Sequence, residues 1–118
     1  GAKFIGVKLT DVKFNYTDLR KTTFESCTFL GVDFHYSDLS GQRFDGQTFI
    51  GITFGLPALK DVSFQGATLK NVSFRPVGLW SMKRAIQSIH FDGAMMDKLT
   101  YAALKGLGAD VSKVTVLS

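Results

Sequence analysis

Phe or Leu recurs at every fifth position, without a gap, from Phe4 to Leu79. The series runs Phe4, Leu9, Phe14, Leu19, Phe24, Phe29, Phe34, Leu39, Phe44, Phe49, Phe54, Leu59, Phe64, Leu69, Phe74 and Leu79. Two residues before each of these, the side chain is usually small or β-branched, as at Val7, Thr22, Cys27, Val32, Ile52, Val62 and Ala67. A helix sets its apolar residues near a period of 3.6 and a simple strand near 2, so a period of five fits neither. It fits a short extended segment that turns two alternate side chains inward, followed by a corner. Each five-residue unit then makes one wall of a coil.

The number of walls per turn follows from which multiple of five aligns like with like. At twenty, Phe4, Phe24, Phe44 and Phe64 coincide, as do Phe14, Phe34, Phe54 and Phe74, and Leu19, Leu39, Leu59 and Leu79. Only the column Leu9, Phe29, Phe49, Leu69 is mixed. Four units per turn predict a square, all-β solenoid with a core of these stacked columns. With coils about 4.8 Å apart, four of them rise roughly 19 Å. Gly6, Gly31, Gly41, Gly46, Gly51 and Gly66 fall two residues after a central Phe or Leu, the place where a tight corner needs unusual backbone angles. Asp11, Asp61 and Asn71 share that place.

These units, with Asp in Thr17-Asp18-Leu19, Ser37-Asp38-Leu39 and Val32-Asp33-Phe34, resemble the pentapeptide-repeat proteins, whose unit approximates Ala-(Asp/Asn)-Leu-X-X. The resemblance covers residues 2 to 79 and implies a right-handed quadrilateral parallel β-helix. Gln42, Gln47 and Pro57 depart from the pattern by occupying the smaller inward position. There the coil is expected to bulge or to bury a satisfied amide.

After Leu79 the period changes. Met82, Ala85, Ile86 and Ile89 are spaced as one face of a helix, opposite Lys83, Arg84, Gln87 and Ser88. Asp97 is placed to cap a second helix over Lys98 to Lys105, stopped by Gly106, with Leu99, Ala102 and Ala103 as its apolar side. A last strand is expected over Val114 to Leu117. The chain therefore divides into a solenoid of about four coils over 1–79 and a helical cap over 80–118 with a final repeat-like strand. Trp80 is the expected plug. Some proteins of the resembled family dimerise through a C-terminal segment, which makes Trp80, Met82, Ile86 and Ile89 candidates for a homodimer contact as well as for the lid.

Composition narrows the functional classes. The 118 residues form one domain; 45% are hydrophobic and 20% charged, and no apolar run approaches the roughly 18 residues of a membrane span. No basic and apolar leader is present, so a cytoplasmic location is expected; the chain opens at Gly1-Ala2-Lys3-Phe4, inside a repeat, as an excised piece of a longer protein would. Two histidines and one cysteine cannot build a His/Cys zinc site, and no cofactor is expected. His35 is expected to face solvent, His90 to sit where the cap turns, and Cys27 to be a buried packing residue. The glycines mark corners and form no phosphate loop. A coil filled with Phe and Leu offers no concave site for catalysis, so no enzymatic activity is expected.

Binding remains. Outward, Thr28, Thr48 and Thr68 should form a ladder, flanked by Thr23, Thr53, Ser63 and Ser73; such a ladder can resemble the face of ice-binding β-helices, although β-branched preference in strands accounts for it more simply. Tyr16, Tyr36 and Leu56 at one corner, and Leu30 with Ile50 on another edge, form two apolar outward stacks; they are the candidate surface for a protein partner of unknown identity, the alternative being that an N-terminal portion of a longer chain covers them. The resemblance also implies an alternative, a DNA-mimicking modulator of DNA gyrase giving quinolone protection. That mechanism needs an acidic surface, whereas this chain carries +4, with 9 basic and 7 acidic residues before position 80. Lys3, Lys8 and Lys13 build no acidic ridge, and Asp18 with Asp38 make one short pair. Direct nucleic-acid binding is not expected either, since no basic patch is interleaved with aromatics.

Overall fold

The computed structural model describes residues 2–75 and 80–117, without the side chains of residues 56, 57 and 80–83. Leu79 lies outside the described residues, as do the side chains of Leu56, Pro57, Trp80 and Met82. Among the described residues, eight strands of three residues precede the first α-helix: β1 (Lys3–Ile5), β2 (Lys8–Thr10), β3 (Thr23–Glu25), β4 (Thr28–Leu30), β5 (Thr48–Ile50), β6 (Thr53–Gly55), β7 (Thr68–Lys70) and β8 (Ser73–Arg75). Then come α1 (Trp80–Ser88), β9 (Met95–Asp97), α2 (Lys98–Gly106) and β10 (Thr115–Leu117).

All pairing is parallel, and through β8 each strand bonds the one twenty residues away. Phe4 pairs with Phe24, Leu9 with Phe29, Phe29 with Phe49, Phe49 with Leu69, and Phe54 with Phe74. The main sheet has six strands in the order β10-β9-β7-β5-β4-β2. Isolated bridges such as Lys13 to Asp33 and Asp18 to Asp38 carry the same register onto the other walls. Strands this short form because two of every five residues are spent on the corner. The Cα extents, 33 × 33 × 20 Å, are those of a stub as wide as it is long.

Inside, the Phe columns stack along the axis and meet edge-on across it. Phe29 lies on Phe49 at 4.6 Å and 1°, Phe34 on Phe54 at 5.5 Å and 14°, and Phe44 meets Phe49 at 5.0 Å and 81°. Offset stacks and T-shaped contacts are the favoured aromatic geometries, so one repeat satisfies both. Phe24, Phe34, Phe44, Phe54, Phe64, Phe74, Leu19, Leu39 and Leu59 are buried. Phe4 and Phe14, in the first coil, are half-buried because no described coil lies beneath them.

The corners follow the sequence with one addition. Gly31 and Gly51 take φ of 59° and 67°, and Asp11, Asp61 and Asn71 also enter the left-handed region, but so do Tyr16, Ser26 and Tyr36. The unusual inward residues are accommodated by hydrogen bonds. Gln42 and Gln47 are buried; the Gln42 amide donates to the carbonyls of Leu19, at 2.6 Å, and Thr22, and that of Gln47 to Phe24 at 2.8 Å. Around Pro57 the wall becomes a 3-10 turn, Leu56–Leu59.

Helix α1 packs over that turn, with Ala85 and Ile86 buried, as is Ile89 just past its end. The Ser88 hydroxyl accepts the Asp61 N–H at 2.9 Å, tying α1 to a corner. Two strands then resume the ladder: Phe91 stacks on Phe64 at 5.6 Å, Met96 pairs with Leu69, and β10 pairs with β9. Helix α2 begins after Asp97 as anticipated, but its buried residues are Thr100 and Leu104, while Leu99, Ala102 and Ala103 are exposed. The reason is polar. Asp97 Oδ1 accepts the Asn71 N–H at 2.9 Å and the Thr100 hydroxyl, and Thr100 Oγ1 accepts the Val72 N–H at 3.2 Å. These bonds fix Thr100 against the coil and turn the expected apolar face outward.

Candidate interaction surface

The two tyrosines arise from equivalent units, Phe14-Asn15-Tyr16-Thr17-Asp18 and Phe34-His35-Tyr36-Ser37-Asp38. In each, Phe turns inward and the following two residues round the corner. Tyr16 and Tyr36 sit at φ of 56° and 55°, which for a residue with a Cβ costs of order 1–2 kcal/mol. The Tyr16 N–H donates to the His35 carbonyl at 3.0 Å, and Ser37 closes its turn by donating N–H and Oγ–H to the Phe34 carbonyl at 3.0 and 2.6 Å. With both backbones held, the rings stack on each other at 5.2 Å, inclined by 29°, although 75% of Tyr16 and 68% of Tyr36 face solvent. His35, also exposed, lies 4.0 Å from the Tyr36 ring.

Polar groups frame the pair. In the orientation that satisfies both groups, the Asn15 side-chain nitrogen donates to both Asp33 oxygens at 3.2 Å, and Asp33 Oδ1 accepts the His35 N–H at 2.9 Å. Arg20 reaches Asp18 at 2.8 Å and Asp38 at 3.4 Å. Its side-chain hydrogen bonds, joined by its own backbone N–H, hold the Asp18 carboxyl well below the usual carboxylate range. Beside Tyr36 an open groove of about 840 Å³ runs past Asp33, His35 and Asp38 to Gly55 and Arg75.

The other candidates fall elsewhere. Leu30 and Ile50 stack in register between β4 and β5 but are half-buried, not exposed, as are Thr28, Thr48 and Thr68 beside them. Ile86 and Ile89, candidates for both the lid and a homodimer contact, are buried in the core. Cys27 is buried, its thiol within 3.4 Å of the Phe4 and Glu25 carbonyls. His90 is exposed and bridges Ser63 through its backbone. Among the described residues no three His, Cys, Asp or Glu side chains converge as a metal site requires, and no helix is long and apolar enough to cross a membrane.

Leu99, expected on the apolar side of α2, is 80% exposed, and Ile5 on β1, Met95 on β9 and Val116 on β10 are exposed apolar residues too. The spacing Thr100, Leu104, Leu107 offered an alternative inward face, but a threonine in its first place hid it.

The sequence model of the pentapeptide repeat region matches residues 1–74. No curated protein matches the chain.

Proposed function

The chain belongs to the pentapeptide-repeat family, and on that premise we propose that it is a non-catalytic scaffold whose Tyr16–Tyr36 corner contacts a macromolecular, most simply protein, partner. The observation that carries this reading is the corner itself. Two large aromatic side chains occupy left-handed positions that glycine, aspartate or asparagine fills at most other corners, and both remain exposed. Strain kept at an exposed aromatic pair is what a contact site selects, since aromatic anchors dominate interface energetics. In this reading the coils wind right-handed, residues 80–118 serve as the cap, and the protein works in the cytoplasm.

The gyrase-modulator alternative is weakened by the charge at this same corner. Arg20 occupies both Asp18 and Asp38, the two carboxylates that would begin an anionic ridge. The test is affinity capture with chemical cross-linking, comparing wild type with the Tyr16→Ser/Tyr36→Ser double variant, after circular dichroism shows both folded. Loss of a specific cross-linked partner in the variant supports the corner. A partner retained undiminished removes it, and protection of gyrase from a quinolone at low protein concentration overturns the scaffold reading in favour of the alternative.

A further inference from the structure

We infer that Tyr16 and Tyr36 form an oxidative modification site, at which a one-electron oxidant couples the two phenols into a dityrosine cross-link between adjacent coils. This does not rest on the partner reading. Three features of the corner bring it about. The rings are already stacked, with centroids 5.2 Å apart and planes 29° from parallel. Both are largely exposed, so an oxidant that transfers electrons at the protein surface can reach them. Their backbones are held from below, Tyr16 by its N–H bond to the His35 carbonyl and Tyr36 by the turn that Ser37 closes, so the pair does not drift apart between the two oxidation events. Holding two reactants together in this way turns a bimolecular radical coupling into an intramolecular one.

The chemistry balances with a haem peroxidase and hydrogen peroxide as the oxidant system. Each phenol gives up one electron and its hydroxyl proton to become a phenoxyl radical, whose spin is shared with the ring carbons ortho to oxygen. An ortho carbon of Tyr16 bonds to an ortho carbon of Tyr36, and the hydrogen on each of those carbons moves to its oxygen, restoring two phenols. The protein loses two protons and two electrons, and one hydrogen peroxide takes them up to give two waters. The bond closes a loop of twenty residues between neighbouring coils, so the unfolded chain loses conformational freedom and the folded form gains stability.

The third tyrosine is an internal control. Tyr101 is half-buried beside Lys105, whose ammonium lies 5.9 Å from the ring, and it stacks on no other ring among the described residues. Dilute protein treated with horseradish peroxidase and limiting peroxide should yield a monomeric product lighter by two hydrogens, with blue dityrosine fluorescence and a raised unfolding temperature. Tryptic digestion should recover residues 14–20 joined to residues 22–43. Tyr16→Phe and Tyr36→Phe, which keep the rings and the fold, should each lose the monomeric product entirely, and coupling in denaturant should fall severalfold. Dityrosine found only in covalent oligomers, a cross-link involving Tyr101, or no coupling while free tyrosine is consumed under the same conditions would each overturn the site.

Discussion

Gln47 spans the corner that closes on Cys27 in the coil below, donating its Nε2–H to the Phe24 carbonyl at 2.8 Å while its Oε1 accepts the Cys27 N–H at 3.3 Å. At comparable corners the backbone makes this connection itself, as where the Ala67 N–H bonds the Phe64 carbonyl at 3.0 Å. A side chain has been inserted into the turn, and its amide carries the bond that the turn would otherwise make. Replacing Gln47 with Met keeps the volume and removes both bonds, leaving a buried donor and acceptor unpaired. The expected loss is about 1–3 kcal/mol in a urea titration. A variant as stable as wild type would show that the corner recloses on its own.

The core makes a sharper demand. Phe34 is buried and lies between Phe14 at 5.7 Å and Phe54 at 5.5 Å, so Phe34→Ala removes the middle ring of a stack. A loss of about 3–5 kcal/mol is expected. Thr48→Ala, on the outer side of β5, should cost under about 1 kcal/mol. Equal losses would contradict the division into inward and outward positions.

Asp97 links α2 to the coil, and its pKa gives the link a pH signature. Desolvation raises it, but the hydrogen bonds from the Thr100 hydroxyl and the Asn71 N–H outweigh that effect and leave the carboxyl below its ordinary value of 3.8. A folded-state pKa below the unfolded one stabilises fully above the unfolded value and is lost as pH falls through the folded one. Wild type should therefore lose stability relative to Asp97→Asn as pH drops from about 5 through the carboxylate range, and the two should converge in stronger acid. Parallel thermal-melting curves for the two proteins across that range would count against an ionised Asp97 as the tether.

The period of five made the coil, its four walls and the stacked columns legible, because inward Phe and Leu positions repeat with the geometry that buries them. Tyr16 and Tyr36 could be placed at a shared corner for the same reason, being twenty residues apart. Their left-handed backbones follow from the same phase, two residues after Phe14 and Phe34, although the residue type gives no sign of it, since nothing in a tyrosine advertises positive φ. Beyond Leu79 periodicity gave the two helices but not the orientation of α2. There the decisive contacts are the hydrogen bonds that Asp97 and Thr100 accept from the N–H groups of the corner at Asn71 and Val72, which hydrophobic spacing does not register.

The corner also predicts a trade between stability and surface. At φ of 55°, Tyr36 bears the Cβ penalty of the left-handed region, of order 1–2 kcal/mol, which glycine would not bear. Against that relief stand the greater freedom of glycine in the unfolded chain, roughly 0.5–1 kcal/mol, and the lost stacking on an exposed Tyr16 ring, about 0.5 kcal/mol. The terms nearly cancel, so Tyr36→Gly should leave stability within about 1 kcal/mol of wild type although it deletes a whole aromatic side chain. The reverse change, Gly51→Tyr at φ of 67°, introduces the penalty with no partner ring twenty residues away, since Gly31 and Asn71 flank it in the column; losing the freedom of glycine in the unfolded chain returns roughly 0.5–1 kcal/mol, so the variant should destabilise by about 0–1.5 kcal/mol. Denaturant titration of both variants checks the pair. A Tyr36→Gly protein several kcal/mol less stable than wild type would mean that the tyrosine is held there by packing and is a structural residue, and the case for the corner as a contact surface would go with it.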